Sequence, residues 1–186
     1  MEQKVDYKKV FHDLYVPSTS GMIIDVPAIP YLMVKGKGDP NEEAGAYQAA
    51  LQVLYSLTFT IKMSRKGSYQ PDGYHDYALP PLEGLWWLEE DVTAAMDIHH
   101  KEKFSWISML RVPDYVTPEV FAWAKQEVHR KHPQTDFTNT TLEIFEEGLC
   151  AQILHKGSYD NEASTITALH AFLKEQGYAL AIGRCV

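Results

Sequence analysis

The chain has few cysteines, an excess of acidic charge and no long apolar run. Cys150 and Cys185 are its two cysteines; they stand apart, which excludes a disulfide scaffold and a Cys-based metal motif and favours a cytoplasmic location. The 17 Lys and Arg against 25 Asp and Glu give a net charge of -8, and no basic stripe offers itself to nucleic acid. No apolar run reaches the ~20 residues of a membrane span, and residues 1–15 contain no signal-peptide core.

The composition is otherwise that of an ordinary folded protein. Apolar residues make up 45% and charged residues 23% of the 186 residues, which is typical of globular domains and excludes extended disorder. The length predicts one domain over residues 1–186, or two small modules that share a core.

Hydrophobic periodicity predicts two rounds of strand, helix and strand pair, one before residue 90 and one after it. The predicted strands cover residues 29–35, 74–78, 82–88, 104–110, 142–145, 149–155 and 178–182. Three helices are predicted. The first begins at Asn41-Glu42, and its end is left open between residues 57 and 63. The second runs from Thr117-Pro118 to about Lys131, and the third from about Glu162 to Gln176. The turns before the first and last helices begin with Lys-Gly and end in Asn-Glu, which indicates an internal duplication.

Two glycines, Gly36 and Gly38, precede the first predicted helix. The sequence around them lacks the third glycine of a dinucleotide fingerprint and the Lys-Ser/Thr pair of a P-loop. An ordinary turn between strand and helix is therefore favoured over a phosphate site, and no nucleotide cofactor is expected.

Three histidines stand beside acidic residues. His99 and His100 follow Asp97, and His75 precedes Asp76. Adjacent histidines point apart on a helix or a strand, and no pair has the i, i+4 spacing that brings two imidazoles to one metal. A solvated connection is favoured, and neither a metal nor another cofactor is expected.

The stretch PPLEGLWWL, residues 80–88, concentrates two of the four tryptophans beside one carboxylate. In an extended strand, alternate side chains point to opposite faces. One face then carries Glu83, Leu85 and Trp87, and the other carries Gly84, Trp86 and Leu88. One tryptophan is expected under the helices, and the other shares a face with the carboxylate.

A carboxylate beside an indole suits a flat, apolar and often cationic ligand, which stacks on the ring while the acid supplies charge. Tyr74, Tyr77 and Trp106 are candidates to extend this wall. The alternative is that Glu83 lies in water at a strand end while both tryptophans of the stretch fill the core. These residues alone leave both interpretations open.

PPLEGLWW and the later segment GLCAQILHKGSYDNEASTITALHAFLKEQGY together resemble the GyrI-like small-molecule-binding domains, which are related to the effector domains of Rob- and BmrR-type regulators. The resemblance extends from about Asp25 onward. It implies an α+β fold made of a duplicated β-α-β-β module with pseudo-twofold symmetry, antiparallel sheets with helices on one face, and a ligand cleft between halves at about 22–91 and 103–186. The sequence contains no region that resembles the DNA-binding helix-turn-helix of those regulators.

One departure from the family concerns the end of the chain. GyrI-like domains continue with a strand of His-Glu-apolar-Tyr-Leu pattern, whose glutamate is the pocket acid, and a basic tail, whereas this sequence ends at Gly183-Arg184-Cys185-Val186. The resemblance makes the strand bearing Leu85, Trp86 and Trp87 the pseudo-twofold partner of that missing strand. We therefore expect a site that depended on the missing acid to be lost.

Three functions follow as hypotheses. The first is a module that binds hydrophobic, planar or cationic small molecules, with Leu85, Trp86, Trp87 and Trp106 as ligand-binding residues and Glu83 as counter-charge. The second, implied by a branch of the family, is a hydrolase that opens the cyclopropane of DNA-alkylating natural products; Glu83 is its candidate base, and Tyr74 or Tyr77 hydrogen-bonds the substrate carbonyl. The third is a gyrase-inhibitor-like regulator whose acidic surface touches a basic target. The expected partner is a small molecule rather than nucleic acid or a membrane, and a homodimer is left open.

Overall fold

The computed structural model describes residues 4–88, 101–158 and 161–179, and the chain forms two compact units. The larger unit contains residues 4–6 and the described part of Ile29–Phe145. The smaller unit contains Tyr7–Ala28 and the described part of Glu146–Gly183. No described helix is long and apolar enough to cross a membrane.

The described chain contains five α-helices and six strands. In order they are α1 (Tyr7–Val10), α2 (His12–Tyr15), β1 (Met22–Val26), β2 (Ile29–Lys37), α3 (Ala46–Lys62), β3 (Glu83–Leu88), β4 (Phe104–Arg111), α4 (Pro118–Lys131), β5 (Thr140–Phe145), β6 (Gly148–Gln152) and α5 (Ala163–Glu175). The fold is α+β, as the sequence predicts.

The larger unit is built on a four-stranded antiparallel sheet in the order β3-β4-β2-β5. The chain passes through strand, helix and strand twice, first as β2-α3-β3 and then as β4-α4-β5. This is the arrangement of a ferredoxin-like sheet, in which β4 is inserted between the two strands of the first repeat. Strands distant in sequence therefore become neighbours.

Helix α3 packs against β2 and β4 through one apolar stripe, and α4 lies beside it. The buried residues of α3 are spaced three or four apart, as one helix face requires: Ala50, Val53, Leu54, Leu57, Thr58 and Ile61. Thr58 is the polar member, and its hydroxyl donates to the Leu54 carbonyl oxygen at 2.7 Å. The apolar stripe of α3 thus covers one face of the sheet, and its one buried polar side chain is hydrogen-bonded within the helix.

Helix α4 has the boundaries that its sequence predicts. The Thr117 hydroxyl oxygen accepts from the Val120 amide at 3.4 Å, and Pro118 occupies the first helical position. Both features pre-organise a helix start, because an N-cap side chain satisfies an amide that has no partner inside the helix and proline needs none. Acidic Glu119 and a basic last turn add favourable charge at each end.

The two glycines before α3 serve packing and turning. A Cβ atom at Gly36, inside β2, would lie 2.2 Å from Cη2 of Trp106, so only glycine leaves room for that indole. Gly38 has a φ of +111°, in the region that favours glycine. Gly36 thus makes room for the Trp106 ring, and Gly38 allows the turn between strand and helix that the sequence predicts.

Helix α3 begins later than its sequence predicts. The carboxylate of Asp39 accepts from the Asn41 amide at 2.8 Å, and the Asp39 carbonyl accepts from the Glu42 amide at 3.2 Å. Asp39 therefore closes a separate turn, and the helix starts only after Gly45. Its other end, left open by the sequence, is at Lys62.

The segment 74–78 is the second difference. It contains one isolated parallel bridge between Tyr77 and Val5 rather than a strand. Lys62 donates to the Tyr77 carbonyl oxygen, which is thereby satisfied by a side chain instead of a neighbouring strand. The predicted strand at 178–182 lies mostly outside the described residues, and its first two residues are not in a strand.

The smaller unit contains an antiparallel pair, β1 with β6, and the helix α5. The ring of Phe172 packs against Gly21, where a Cβ would lie 2.6 Å from Cδ1 of the ring. His155 lies in the loop that follows β6, and its two ring nitrogens lie 2.8 Å from the Thr165 hydroxyl and 3.0 Å from the Ser158 carbonyl oxygen. These contacts fix the loop against α5.

Candidate functional site

The register of β3 decides which of its side chains share a face. Glu83 is opposite Met109, Leu85 is opposite Ile107, and Trp87 is opposite Ser105 of β4. Directly opposed residues in an antiparallel pair point to the same side of the sheet. We call this side the Glu83 face: it carries Glu83, Leu85 and Trp87 of β3 and the residues aligned with them on the other strands.

A hydrogen bond crosses the Glu83 face. The Tyr31 hydroxyl of β2 donates to Oε2 of Glu83 at 2.9 Å. Because β4 lies between β2 and β3, the tyrosine side chain extends over β4 to reach the acid. Tyr31 is 2% exposed and Glu83 is half-buried, so the contact holds one carboxylate oxygen at the edge of a buried layer.

Tyr31 also has charged neighbours on this face. It is directly opposite Arg111 of β4 on one side and Glu143 of β5 on the other. Arg111 is 8% exposed, which is unusual for an arginine. Glu143 is more open, and it accepts from the Thr141 hydroxyl at 2.8 Å and lies 3.6 Å from Nζ of Lys35. The Glu83 face therefore combines two acids, Glu83 and Glu143, with a buried cation and a phenol.

Trp86 and Trp106 lie on the opposite face, under α3. They are directly opposed to each other, and the ring of Tyr47 lies 5.2 Å from both. Trp106 is 1% exposed, so it is part of the packing between helix and sheet. Of the four tryptophan and leucine residues predicted to bind ligand, the structure brings Leu85 and half-buried Trp87 to the face of Glu83.

Tyr74 and Tyr77 lie beside the end of α3. Their hydroxyls donate to carbonyl oxygens of that helix, Tyr74 to Lys62 at 2.7 Å and Tyr77 to Thr58 at 3.4 Å. Burial raises the pKa of Tyr74, and the charge of Asp76 acts in the same direction. The hydroxyl hydrogens of both tyrosines are directed to α3, and their proposed role toward a substrate stays a prediction.

The pair His75-Asp76 belongs to the same region. Asp76 binds Lys62 and Arg65, and the His75 ring contacts Tyr115 edge-on at 5.2 Å between centroids. Within the described residues, no group of three or more His, Cys, Asp or Glu side chains is placed to hold a metal ion. Asp97, His99 and His100 lie outside the described part of the chain.

Sequence reasoning missed Tyr31 and Arg111. Both belong to strands whose bounds it predicted within two residues, but Tyr31 and Glu83 are 52 residues apart, and only the strand order brings them together. Arg111 is the last residue of β4, one residue beyond the predicted end. The signal that could have found them is a polar side chain in an otherwise apolar strand, because such a side chain needs a hydrogen-bonding partner when it is buried.

Comparisons with known proteins give relatives only among solved structures. No protein-family model matches the chain, and no curated protein matches it. Three crystal structures of proteins from Listeria innocua are similar over 94% of this chain.

A protein described as a hydrolase is 41% identical, with 82% of its own chain covered and a TM-score of 0.87. A second, described as an uncharacterized conserved protein, is 42% identical, with 82% covered and a TM-score of 0.86. A third, again described as a hydrolase, is 40% identical, with 85% covered and a TM-score of 0.83. At this identity and coverage, the chain belongs to the same protein family as these three Listeria innocua proteins.

Proposed function

We propose that the protein is a hydrolase that adds water to a hydrophobic, electrophilic small molecule bound on the Glu83 face. The observation that carries this proposal is the 2.9 Å hydrogen bond from Tyr31 to Glu83 on the face that also presents Trp87. The description of two relatives as hydrolases supports the reaction class. The resemblance to GyrI-like domains supports a strained cyclopropane conjugated to a carbonyl as the reacting group.

Glu83 acts as the general base in this proposal. Its carboxylate accepts a proton from a water molecule while the water oxygen bonds to one cyclopropane carbon. The ring carbon–carbon bond breaks, its electron pair moves through the conjugated system to the carbonyl oxygen, and that oxygen takes up the proton. The net change is the addition of one water, with no external oxidant or reductant.

The surroundings of Glu83 suit this role. The Tyr31 hydroxyl engages Oε2, which stabilises the charged carboxylate and fixes its orientation. The carboxylate held in this way is the group that we assign to the attacking water. Half-buried Trp87, four residues along the same strand face, provides an apolar surface that aligns a flat substrate and displaces bulk solvent. Leu85, two residues along, is 2% exposed and belongs to the core behind that surface.

A second candidate function is binding without reaction, in which Trp87 stacks on planar drugs and Glu83 only contributes charge. The partial exposure of Trp87 favours it, because an indole that is not fully packed is available to a ligand. The two functions differ in whether the ligand leaves with a changed mass. Sequestration predicts saturable binding and recovery of unchanged ligand.

The test is to incubate the protein with an activated cyclopropane conjugated to a carbonyl and to follow the product by mass spectrometry. We expect a product heavier by one water, and we expect Glu83→Gln to lower the rate by roughly 10²- to 10⁴-fold. Glu127→Gln is the matched control, because Glu127 lies on α4 and pairs with Arg130 at 3.0 Å. Equal rates for wild type and Glu83→Gln would remove Glu83 from the mechanism, and unchanged substrate bound at saturation would favour sequestration.

A further inference from the structure

We propose that Arg111 binds the substrate oxygen that becomes negative as water is added, and that this arginine makes the site selective for neutral carbonyl compounds over cations. The proposal rests on the function proposed above, since it assigns the substrate to the same Glu83 face. Arg111 was not among the site residues expected from the sequence, and the neutral ligand that it favours differs from the cationic one expected from the aromatic stretch.

The register places Arg111 next to both members of the Tyr31–Glu83 pair. Arg111 is directly opposite Tyr31, which corresponds to about 4.5–5.5 Å between Cβ atoms. Glu83 is opposite Met109, two residues before Arg111 on β4, which makes the two charged residues diagonal neighbours at about 7–8 Å. An arginine side chain is long enough to span such a distance, so the register allows the guanidinium to meet a substrate held at Glu83.

Three tyrosine hydroxyls that could otherwise serve a substrate oxygen are engaged with protein oxygens. Tyr31 directs its hydroxyl hydrogen to Glu83, and Tyr74 and Tyr77 direct theirs to carbonyl oxygens of α3. A hydroxyl has one hydrogen to donate, whereas a guanidinium has five N–H donors and keeps its charge throughout the accessible pH range. A guanidinium can therefore bind a substrate oxygen and a neighbouring protein group at the same time.

The burial of Arg111 strengthens its effect on ligand charge. At 8% exposed, its positive charge is screened less by solvent and salt than that of a surface arginine. A cationic ligand beside Trp87 would gain attraction from Glu83 but lose it to repulsion by Arg111. A neutral ligand with a polarised oxygen gains a charge-assisted hydrogen bond without that repulsion.

The experiment compares two unreactive planar ligands, an aromatic ketone and the same molecule with CH₂ in place of the carbonyl. Dissociation constants are measured by quenching of tryptophan fluorescence and by calorimetry for wild type, Arg111→Met and Arg111→Lys. We expect wild type to prefer the ketone by roughly 10- to 100-fold. Arg111→Met should abolish that preference by weakening the ketone alone, and Arg111→Lys should keep part of it. A third ligand, a matched planar cation, should bind wild type more weakly than the ketone.

Arg130→Met is the control, because Arg130 is an exposed arginine of α4; it should leave both affinities unchanged. The proposal would be overturned if Arg111→Met kept the same ketone preference as wild type. It would also be overturned if wild type showed no preference or did not bind the ketone, or if it bound the cation more tightly than the ketone. The wild-type comparisons keep their force if Arg111→Met fails to fold. Since no ligand is turned over, ketone selectivity without water addition would refute the hydrolase alone, and water addition without ketone selectivity would refute the role of Arg111 alone.

Discussion

The Nζ atom of Lys62, at the end of α3, lies 2.5 Å from Oδ1 of Asp76, and the two side chains are 16% and 18% exposed. Arg65 approaches the other carboxylate oxygen at 3.4 Å. The hydrogen bond from Lys62 is the main reason that the pKa of Asp76 is lowered, and the charges of Lys62 and Arg65 act in the same direction. This ion pair fixes the segment after α3 that carries Tyr77.

Asp76→Asn should destabilise the fold by about 1–3 kcal/mol at neutral pH, because it leaves a mostly buried ammonium without its carboxylate. A lowered pKa in the folded state stabilises the fold above the unfolded-state value of about 4, and this stabilisation is lost as pH falls through the folded pKa. Urea unfolding should therefore show a constant difference from wild type between pH 6 and pH 8 that narrows in acid. A difference as large at the lowest pH as at pH 7 would contradict this account.

Gly36→Ala should destabilise the protein by about 1–3 kcal/mol, because the added methyl would overlap the Trp106 ring and force it or the strand to move. Thermal unfolding measures the change. A double-mutant cycle with Trp106→Leu provides the control, since the smaller side chain should remove most of the cost. An equal cost in both backgrounds would place the strain elsewhere.

Tyr31→Phe removes the donor to Glu83 and keeps the ring. If Glu83 is the base, the rate of water addition should fall by roughly 10- to 30-fold, since a hydrogen bond to a charged group contributes about 1.5–2 kcal/mol. Tyr74→Phe is the informative comparison, because its hydroxyl binds Lys62 rather than Glu83. A larger rate loss in Tyr74→Phe than in Tyr31→Phe would favour the tyrosine nominated from sequence.

Cys150 should be a slow nucleophile. Burial is the largest cause that raises the pKa of its thiol to about 11, and the nearby charge of Glu147 acts in the same direction. In a Cys185→Ser background, which leaves one thiol, alkylation by iodoacetamide at pH 8 should be far slower than that of a free cysteine and should accelerate up to about pH 11. Glu147→Gln should speed the reaction; rapid labelling of the parent at pH 8 would show that the thiol is not shielded.

Local signals predicted α4 and β3 well. Thr117 and Pro118 define a helix start through contacts within four residues, and period-two alternation assigned Trp86 and Trp87 to opposite faces without knowledge of any partner strand. Both inferences depend only on neighbours in sequence. They survive in the folded chain because tertiary contacts agree with them.

Non-local relationships were beyond the reach of the sequence. Strand β1 was not predicted, and it is paired through Asp25 with Leu149, far along the chain. Helix α3 starts late because Asp39 forms a competing turn, and Tyr77 lies outside a strand because Lys62 satisfies its carbonyl. The grouping of Tyr31, Arg111 and Glu83 depends on β4 entering between β2 and β3, which is a property of topology rather than of any local pattern.

The position of β3 at the edge of the four-stranded sheet gives the Tyr31–Glu83 hydrogen bond a second consequence. An edge strand is paired on one side only within this sheet, and a slip of one residue would turn Glu83, Leu85 and Trp87 to the helix side. The bond from β2 joins two strands that are not adjacent, so any slip of β3 must break it. The same contact that orients the carboxylate thus acts as a register lock for the strand that carries it.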